Sequence, residues 1–456
     1  MSSIVALIGR PNVGKSTIFN LLTRSNSSVV ADYPGLTRDR KYGKLRDSSI
    51  VLIDTGGIGA TGNLSQQILE QTEFAIDEAD TFLLILDAKE GLQPLDNEIS
   101  NKLRKANKKI IPVVNKIDSV SDNSEVNEFS ILGYDEVLYI SAAHNRGIGD
   151  LGDILRESDI SEDEDIGSKN MTVTIIGRPN VGKSTLLNKL LGKERAVVSS
   201  EAGTTRDSIE DEFVYRGKKI SIVDTAGMRR KRSIQEFNEK SFVRKSISAI
   251  RNSHLAILLI DGSENIVDQD ITLISLTLAM GKSVILGINK VDILKAEDKK
   301  DVEIQIERKL RFSPYIRRVF ISAKEGKGIG KLLKVSLETY KAANQDLDTS
   351  EMNSLLRLAI ENQPPTMSGR FRPKLKYAHL GGKNPLTIII HGNNTSLLQA
   401  SYIKYLENFF RAHLDLSGSP LSIRMKDSDN PFKDKKNLLT ERQKKKRRRI
   451  IKKRSK

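Results

Sequence analysis

The nonapeptide Gly9-Arg10-Pro11-Asn12-Val13-Gly14-Lys15-Ser16-Thr17 recurs letter for letter as Gly177-Arg178-Pro179-Asn180-Val181-Gly182-Lys183-Ser184-Thr185, an offset of 168. A repeat of this length requires two copies of one structural unit. Later landmarks keep the spacing. Pro34 to Asp39 is echoed by Ala202 to Asp207 at offset 168, and Asp54-Thr55-Gly56-Gly57 by Asp224-Thr225-Ala226-Gly227 at 170. Asn115-Lys116-Ile117-Asp118 is echoed by Asn289-Lys290-Val291-Asp292 at 174, and Ser141-Ala142-Ala143 by Ser322-Ala323-Lys324 at 181. The drift of 13 residues over the whole series leaves room only for short loop insertions.

Each copy alternates short apolar runs with helical patterns. In the first, Ile4 to Ile8, Ile50 to Ile53, Phe82 to Leu86, Ile110 to Val114 and Val137 to Ile140 are expected to be buried strands. Ile18, Phe19, Leu21 and Leu22 put an apolar stripe on the helix after the first loop, as Leu186, Leu187, Leu190 and Leu191 do in the second copy. Alternation of this kind gives an α/β fold, two tandem domains with doubly wound, mostly parallel sheets covered by helices on both faces.

The repeated loop, G-x-x-x-x-G-K-S between a strand and a helix, is suited to a phosphate chain. Its backbone N–H groups can wrap the phosphates at a helix N-terminus. Lys15 and Lys183 would neutralise the β and γ phosphates, and Ser16 and Ser184 would offer hydroxyls to Mg²⁺. Thr37 and Thr205, with Asp54 and Asp224 at strand ends, would complete each magnesium site, the threonines closing only when a γ-phosphate is present. Lys15, Thr37, Gly57, Lys183, Thr205 and Gly227 are the expected catalytic set. Asp118 and Asp292 can accept from N1–H and the 2-amino group of guanine, which adenine does not match. Discrimination of about 10⁴ or more is reasonable for such a carboxylate. Asn115 and Asn289 are expected to bond the base edge and brace the first loop, and the N–H groups of Ala142 and Ala323 to meet guanine O6. Thr55, Gly56, Ile58, Ser141, Thr225, Ala226, Met228 and Ser322 complete the expected nucleotide contacts.

Charge is distributed unevenly. Of a net +16, residues 1–166 carry −10, residues 167–340 carry +11 and residues 341–456 carry +15. Six acids within Glu157 to Asp165 read as a solvated linker. The expected boundaries are 1–156 and 171–345 for the two repeats, 157–170 for the linker, 346–440 for a small α+β domain and 441–456 for a basic tail. Cysteine chemistry is excluded because the chain has none, and its five histidines lack zinc-ligand spacing. No apolar run approaches the roughly 18 residues of a membrane helix, and Met1 to Gly9 reads as a strand instead of a signal peptide, so a cytoplasmic protein without a membrane anchor is expected.

The last third changes rhythm. Met352 to Ile360 reads as a helix, Leu375 to Leu380 and Leu386 to Ile390 as strands, a helix follows with Tyr402, Tyr405, Leu406, Phe409 and Phe410 on one face, and Leu421 to Met425 makes a third strand. This α-β-β-α-β order resembles a KH module, but no G-x-x-G backbone clamp is present. The aromatic stripe reads as core, and the domain first as a docking surface for the two repeated domains or a larger partner. From Arg442 to Lys456, 11 of 15 residues are basic and none is acidic, which suits a nucleic-acid backbone better than a membrane, the alternative being a solvated, unstructured end. If about six to ten phosphates are contacted, affinity falls by about 10³ to 10⁵ between roughly 50 and 200 mM salt.

The duplicated loops, the acidic linker, Arg372 to His379, Asn384-Pro385 and Ile390 to Asn393 together resemble the bacterial Der (EngA) family of ribosome-biogenesis GTPases, over essentially the whole chain. The resemblance implies two GTPase domains and a KH-like domain, GTP hydrolysis at both sites, and a monomer acting in maturation of the 50S subunit through its rRNA. Where better-known small GTPases place a glutamine after D-x-x-G, this chain has Ile58 and Met228, neither of which orients a water. Slow intrinsic turnover is therefore expected; enzymes that have the glutamine reach only about 10⁻⁴ s⁻¹ unaided. Similarity to the hydrophobic-substituted group implies that Asn12 and Asn180 coordinate K⁺, the alternative being that they only shape the loop. Arg229-Arg230-Lys231-Arg232 follows the second D-x-x-G alone, as a solvated turn or a nucleotide-dependent phosphate or domain contact. The competing reading from another class is an RNA-binding scaffold that senses guanine nucleotides without turnover; a P-loop kinase or ATPase is disfavoured by the paired N-K-x-D motifs.

Overall fold

The computed structural model describes residues 3–23, 41–45, 48, 50–55, 72–73, 75–76, 78–119, 128–158, 170–193, 211–223, 246–367 and 371–427. Thr37, Gly56, Gly57, Ile58, Thr205, Asp224, Thr225, Ala226, Gly227, Met228, the four cations that follow, most of the acidic linker and the basic tail lie outside the described residues.

In the first repeat, β1 (Ile4–Ile8) leads through the glycine loop into α1 (Lys15–Thr23), followed by β2 (Lys41–Lys44), β3 (Val51–Asp54), β4 (Thr81–Asp87), α2 (Pro94–Lys105), β5 (Lys109–Asn115), β6 (Leu138–Tyr139) and α3 (Ile148–Ser158). The strands lie in the order β2-β3-β1-β4-β5-β6. All neighbours are parallel except β2 and β3. Every residue of β4 is buried, as a central strand covered on both faces requires.

The second repeat runs β7 (Met171–Ile176), α4 (Lys183–Lys193), β8 (Asp211–Tyr215), β9 (Lys218–Val223), β10 (Leu255–Asp261), α5 (Asp268–Ala279), β11 (Ser283–Asn289), α6 (Ala296–Lys309), β12 (Arg317–Phe320) and α7 (Ile329–Ala343). Its order, β12-β11-β10-β7-β9-β8, with β8 the antiparallel edge, repeats the first topology. The third unit has α8 (Thr349–Asn362), β13 (Lys374–Gly382), β14 (Leu386–Asn393), α9 (Ala400–His413) and β15 (Leu421–Asp427). Here β14 pairs antiparallel with β13 and parallel with β15.

The aromatic stripe on α9 is core. Tyr402, Leu406 and Phe410 are buried with Ile388 and Ile390, and the Tyr402 and Tyr405 hydroxyls donate to the Gln363 and Ala359 carbonyls, each at 2.8 Å. Tyrosine suits these positions because its apolar body is buried while its hydroxyl reaches a backbone acceptor.

Helix α5 is buried around its whole circumference, Leu273, Ser275, Leu276 and Leu278 included. A helix apolar on all sides must be covered on two. One side packs on β10 and β11 of its own sheet, the other meets β2 of the first repeat, so residues of both repeats, among them Ile53, Phe82, Ile271 and Leu286, form one buried cluster. Among the described residues no helix is long and apolar enough to cross a membrane.

Candidate functional site

In both repeats the glycine loop ends at a helix N-terminus, at Lys15 and at Lys183. Asn12 and Gly14 have φ of 64° and 100°, and Asn180 and Gly182 have 62° and 99°. These left-handed residues, interleaved with ordinary ones, turn successive N–H groups toward one concavity, where the helix's first-turn donors also point without intrahelical acceptors. A side chain at Gly14 would collide with the Asn115 carboxamide, and one at Gly182 with that of Asn289. Backbone conformation and close approach thus both demand glycine there.

Asn115 is buried and joins two loops. Its Nδ2 donates to Val13 O at 2.9 Å, and its Oδ1 accepts from Ala142 N at 2.9 Å. Asn289 repeats this with Val181 O at 2.8 Å and Ala323 N at 2.9 Å. The bracing of the first loop is as expected. The N–H groups of Ala142 and Ala323 are thereby held at the same junction, beside the loops that carry Asp118 and Asp292.

Asp118 and Asp292 lie in single 3-10 turns after β5 and β11. Ser141 donates to Asp118 Oδ1, and His144 Nε2 stands 3.4 Å from Asp118 Oδ2. The Ser141 hydroxyl holds the Asp118 carboxyl below the usual carboxylate range; Ser322 does the same for Asp292, assisted by Lys324 and Lys327. Both serines are fully buried. They position the carboxylates and keep them as acceptors, the form that a ring N–H beside an amino group requires.

Lys15 is buried, and its Nζ donates to the carbonyls of Gly9 at 2.8 Å and Arg10 at 2.6 Å. Lys183 does so to Gly177 and Arg178, both at 2.6 Å. Desolvation lowers the Lys15 pKa to about 8, against the attraction of nearby Asp54. Asp54 is 1% exposed at the end of β3, and Thr55 is tied by its hydroxyl to Leu7 O at 2.6 Å. Asn12, Pro11, Ser16, Thr17, Pro179, Asn180 and Thr185 are exposed around the loop mouths. Concave N–H groups, a lysine and a buried aspartate suit a magnesium-bound polyphosphate: the loop and lysine would hold phosphate, Ser16 and Asp54 the metal side.

Two supporting sets were not read from the sequence. Arg10 Nε meets Asp96 Oδ1 at 2.9 Å, and Asp96 Oδ2 accepts from Gln93 N at 3.1 Å at the start of α2. Arg178 Nε meets Asp270 Oδ1 at 3.2 Å, and Asp270 Oδ2 accepts from Val267 N at 3.1 Å at the start of α5. Both aspartates are 0% exposed, so each copy pins its loop to the next helix through a buried carboxylate. Similarly Lys116 pairs with Asp87 at 2.5 Å, and Lys290 with Asp261. Asp87/Asp261 and Asp96/Asp270 share the 174-residue offset of the N-K-x-D motifs, a signal legible in the sequence.

Two topologically equivalent sheets, each with a phosphate-type loop and a serine-oriented aspartate, define a tandem P-loop GTPase. Comparison with known proteins agrees. A family model described as 50S ribosome-binding GTPase matches residues 4–116 and 172–290, and one described as the C-terminal KH-domain-like unit of EngA bacterial GTPases matches residues 347–426. The proteins named GTPase Der of Alcanivorax borkumensis, 42% identical with 99% of each chain covered, of Acinetobacter baumannii, 43% identical over 99% of this chain and 98% of that one, and of Legionella pneumophila, 42% identical over the same shares, are similar from end to end. The chain belongs to the GTPase Der family and is a GTP-hydrolysing enzyme.

Proposed function

We propose that the protein is an assembly factor for the 50S ribosomal subunit, acting as a cytoplasmic monomer that binds the maturing particle and its rRNA in the GTP state and leaves after hydrolysis. The carrying observation is that the two sites are braced alike, Asn115 and Asn289 each tying the phosphate loop to the base-side loop. Two sites so maintained support two working nucleotide cycles.

In this reading the chain is organised as 1–156, 171–345 and 346–440, with an acidic linker and a basic tail. The loops Gly9–Thr17 and Gly177–Thr185 bind the phosphates. Lys15 and Lys183 offset negative charge as it shifts toward the leaving phosphate, and Asp118 and Asp292 choose guanine. When bound, Mg²⁺ supplies charge neutralisation between the outer phosphates, and Ser16, Thr37 and Asp54, or Ser184, Thr205 and Asp224, are the residues that would hold it. With Ile58 and Met228 after D-x-x-G, placement of the attacking water falls to other groups, and Asn12 and Asn180 are proposed to hold K⁺ beside the phosphates.

Domain movement follows from connectivity. Thr37 lies four residues before β2, and β2 packs against α5 of the second repeat. Were Thr37 to close on the nucleotide site in the GTP state, it would pull on the strand that meets the second GTPase domain.

Phosphate release in K⁺ buffer by the wild type and by Lys15→Ala, Lys183→Ala and the double variant, alongside co-sedimentation with 50S particles in a GTP analogue and in GDP, tests the reading. Turnover abolished only in the double variant and analogue-dependent sedimentation are expected. Guanine-nucleotide binding without turnover would instead make the protein a sensing scaffold.

A further inference from the structure

Neither nucleotide site uses Arg372 to His379 or Ile390 to Asn393, yet the third sheet brings these segments together. Tyr377 stands opposite His391 on β14, which stands opposite Lys426 on β15. Strand alternation sends Ala378, Ile388 and Ile390 into the core with α8 and α9. Tyr377, His379, His391, Arg424 and Lys426 consequently share the opposite face. No Asp or Glu occupies that face of the three strands.

The rings form a near-parallel group. Tyr377 and His391 have centroids 4.4 Å apart and planes 7° apart, and His379 lies 5.2 Å from His391 at 30°. Hydrogen bonds fix the group: His379 Nδ1–H donates to Leu380 O at 3.0 Å, so His379 Nε2 accepts from His391 Nε2–H at 3.1 Å. Tyr377 is 46% exposed, and Phe371, 61% exposed, precedes the strand together with Arg372. Arg424 is half-buried on this face, and a guanidinium offers several N–H donors in a planar fork that matches phosphate oxygens.

We propose that this sheet face binds single-stranded RNA, an unstacked base continuing the ring group at Tyr377 while phosphates lie on Arg424 and Lys426. Aromatic rings interleaved with cations are the combination that a flexible polyanion with flat bases needs, whereas a duplex hides its base faces and an acidic peptide has none. The mode differs from the backbone clamp of KH domains, because its contacts are side chains on the open sheet. It rests on the reading that the protein binds ribosomal RNA, and places that contact on this face.

The test uses the full-length protein and a single-stranded oligoribonucleotide carrying 2-aminopurine, whose fluorescence is quenched by stacking. The wild type is expected to bind with quenching. Tyr377→Ala should weaken binding by about 5- to 150-fold and remove the quenching, Tyr377→Phe should keep both, and Arg424→Gln should lower the salt slope by about one. Unchanged GTP turnover checks that the variants fold. Tyr377→Ala binding as wild type, with affinity lost instead on neutralising the basic residues of 442–456, overturns the proposal, as does equal displacement by duplex RNA or polyglutamate. Wild type that co-sediments with 50S particles without binding the oligonucleotide also overturns it and leaves the ribosome reading standing; binding to neither removes both.

Discussion

Arg251 donates from Nη1 and Nη2 to the two carboxylate oxygens of Asp80, at 3.1 and 2.6 Å, across the join between the GTPase domains. The same Asp80 Oδ2 accepts from Ile4 N at 2.8 Å, so one side chain anchors the start of β1 and the neighbouring domain. In the second domain the equivalent position is His254, whose Nδ1 accepts from Thr172 N at 3.0 Å. A carboxylate has lone pairs to spare for a second partner; an imidazole nitrogen has one. The asymmetry between the copies thus gives the first domain a contact that the second lacks a means to reciprocate.

Asp80 is 43% exposed in this pair, which limits its worth. A double-mutant cycle with Arg251→Ala and Asp80→Asn is expected to give a coupling of about 0.5–1 kcal/mol. Small-angle scattering of Arg251→Ala should show a larger radius of gyration in GDP, while both sites keep their nucleotide affinity. An unchanged radius would mean that the apolar contact of α5 with β2 holds the domains by itself.

The buried aspartates behind the phosphate loops give site-specific variants. Asp270→Ala leaves Arg178 without its buried partner; such losses cost about 3–5 kcal/mol. Because Asp270 also accepts from Val267 N, the damage stays at the second loop and the start of α5. Titration with a fluorescent GTP analogue should show weakened binding at the second site alone for Asp270→Ala and at the first alone for Asp96→Ala. Equal effects on both sites would show that the ion pairs serve general stability.

Lys15 makes nucleotide binding pH-linked. Its pKa of about 8 lies below the ordinary 10.5 because burial disfavours the charged form. A phosphate chain favours that form, so binding raises the pKa and takes up a proton near pH 8. Affinity of the first site should accordingly fall as pH rises through 8. Calorimetry in two buffers of different ionisation enthalpy should reveal the uptake at pH 8 and far less at pH 6.5. Lys15→Arg, charged throughout, should abolish it; uptake persisting in that variant would assign the proton elsewhere.

Asn12 and Asn180 separate loop shape from ion binding. Both are exposed and left-handed, at φ 64° and 62°, a conformation glycine adopts without strain. Asn12→Gly with Asn180→Gly therefore preserves the backbone and deletes the carboxamides. If the asparagines hold K⁺, replacing K⁺ by Na⁺ slows the wild type by about tenfold or more and leaves the variant unaffected, with GDP affinity retained. Persistent K⁺ stimulation in the variant would leave the asparagines a shaping role.

What could be read from the sequence was what backbone chemistry makes obligatory. Gly14 and Gly182 face a neighbouring carboxamide in a left-handed turn, and Asp118 and Asp292 sit at fixed distances after a strand, so residue type and spacing are written together. The third unit's helix and strand order was legible for the same reason, its apolar period following its elements. Partners far apart in the chain were not. Arg10 and Asp96 are 86 residues apart, and nothing local to either announces the other. The same holds for Asn115 with Ala142 N and Asn289 with Ala323 N, 27 and 34 residues apart, pairings that local spacing does not announce. The role of α5 was not legible either: Leu273 to Met280 carries no amphipathic stripe, so the run does not say which two surfaces cover it.

Lys282 offers a stability test away from both nucleotide sites. It is 9% exposed in the turn between α5 and β11, next to Gly281, whose backbone lies so close to Pro385 that a Cβ there would stand 2.5 Å from the proline ring. Burial alone pushes the Lys282 pKa down to about 8 from 10.5. Below pH 8 the folded protein carries a desolvated ammonium, a penalty of about 3 kcal/mol from the difference between these values. Between pH 8 and 10.5 the folded state has released a proton that the unfolded chain still binds, so the penalty fades as pH rises. Lys282→Met keeps the length of the side chain and removes the charge. It should raise the stability measured by urea unfolding by about 1–3 kcal/mol at pH 7, with the gain shrinking steadily toward pH 10. A gain that does not change with pH would show that packing, and not the buried charge, separates the two side chains.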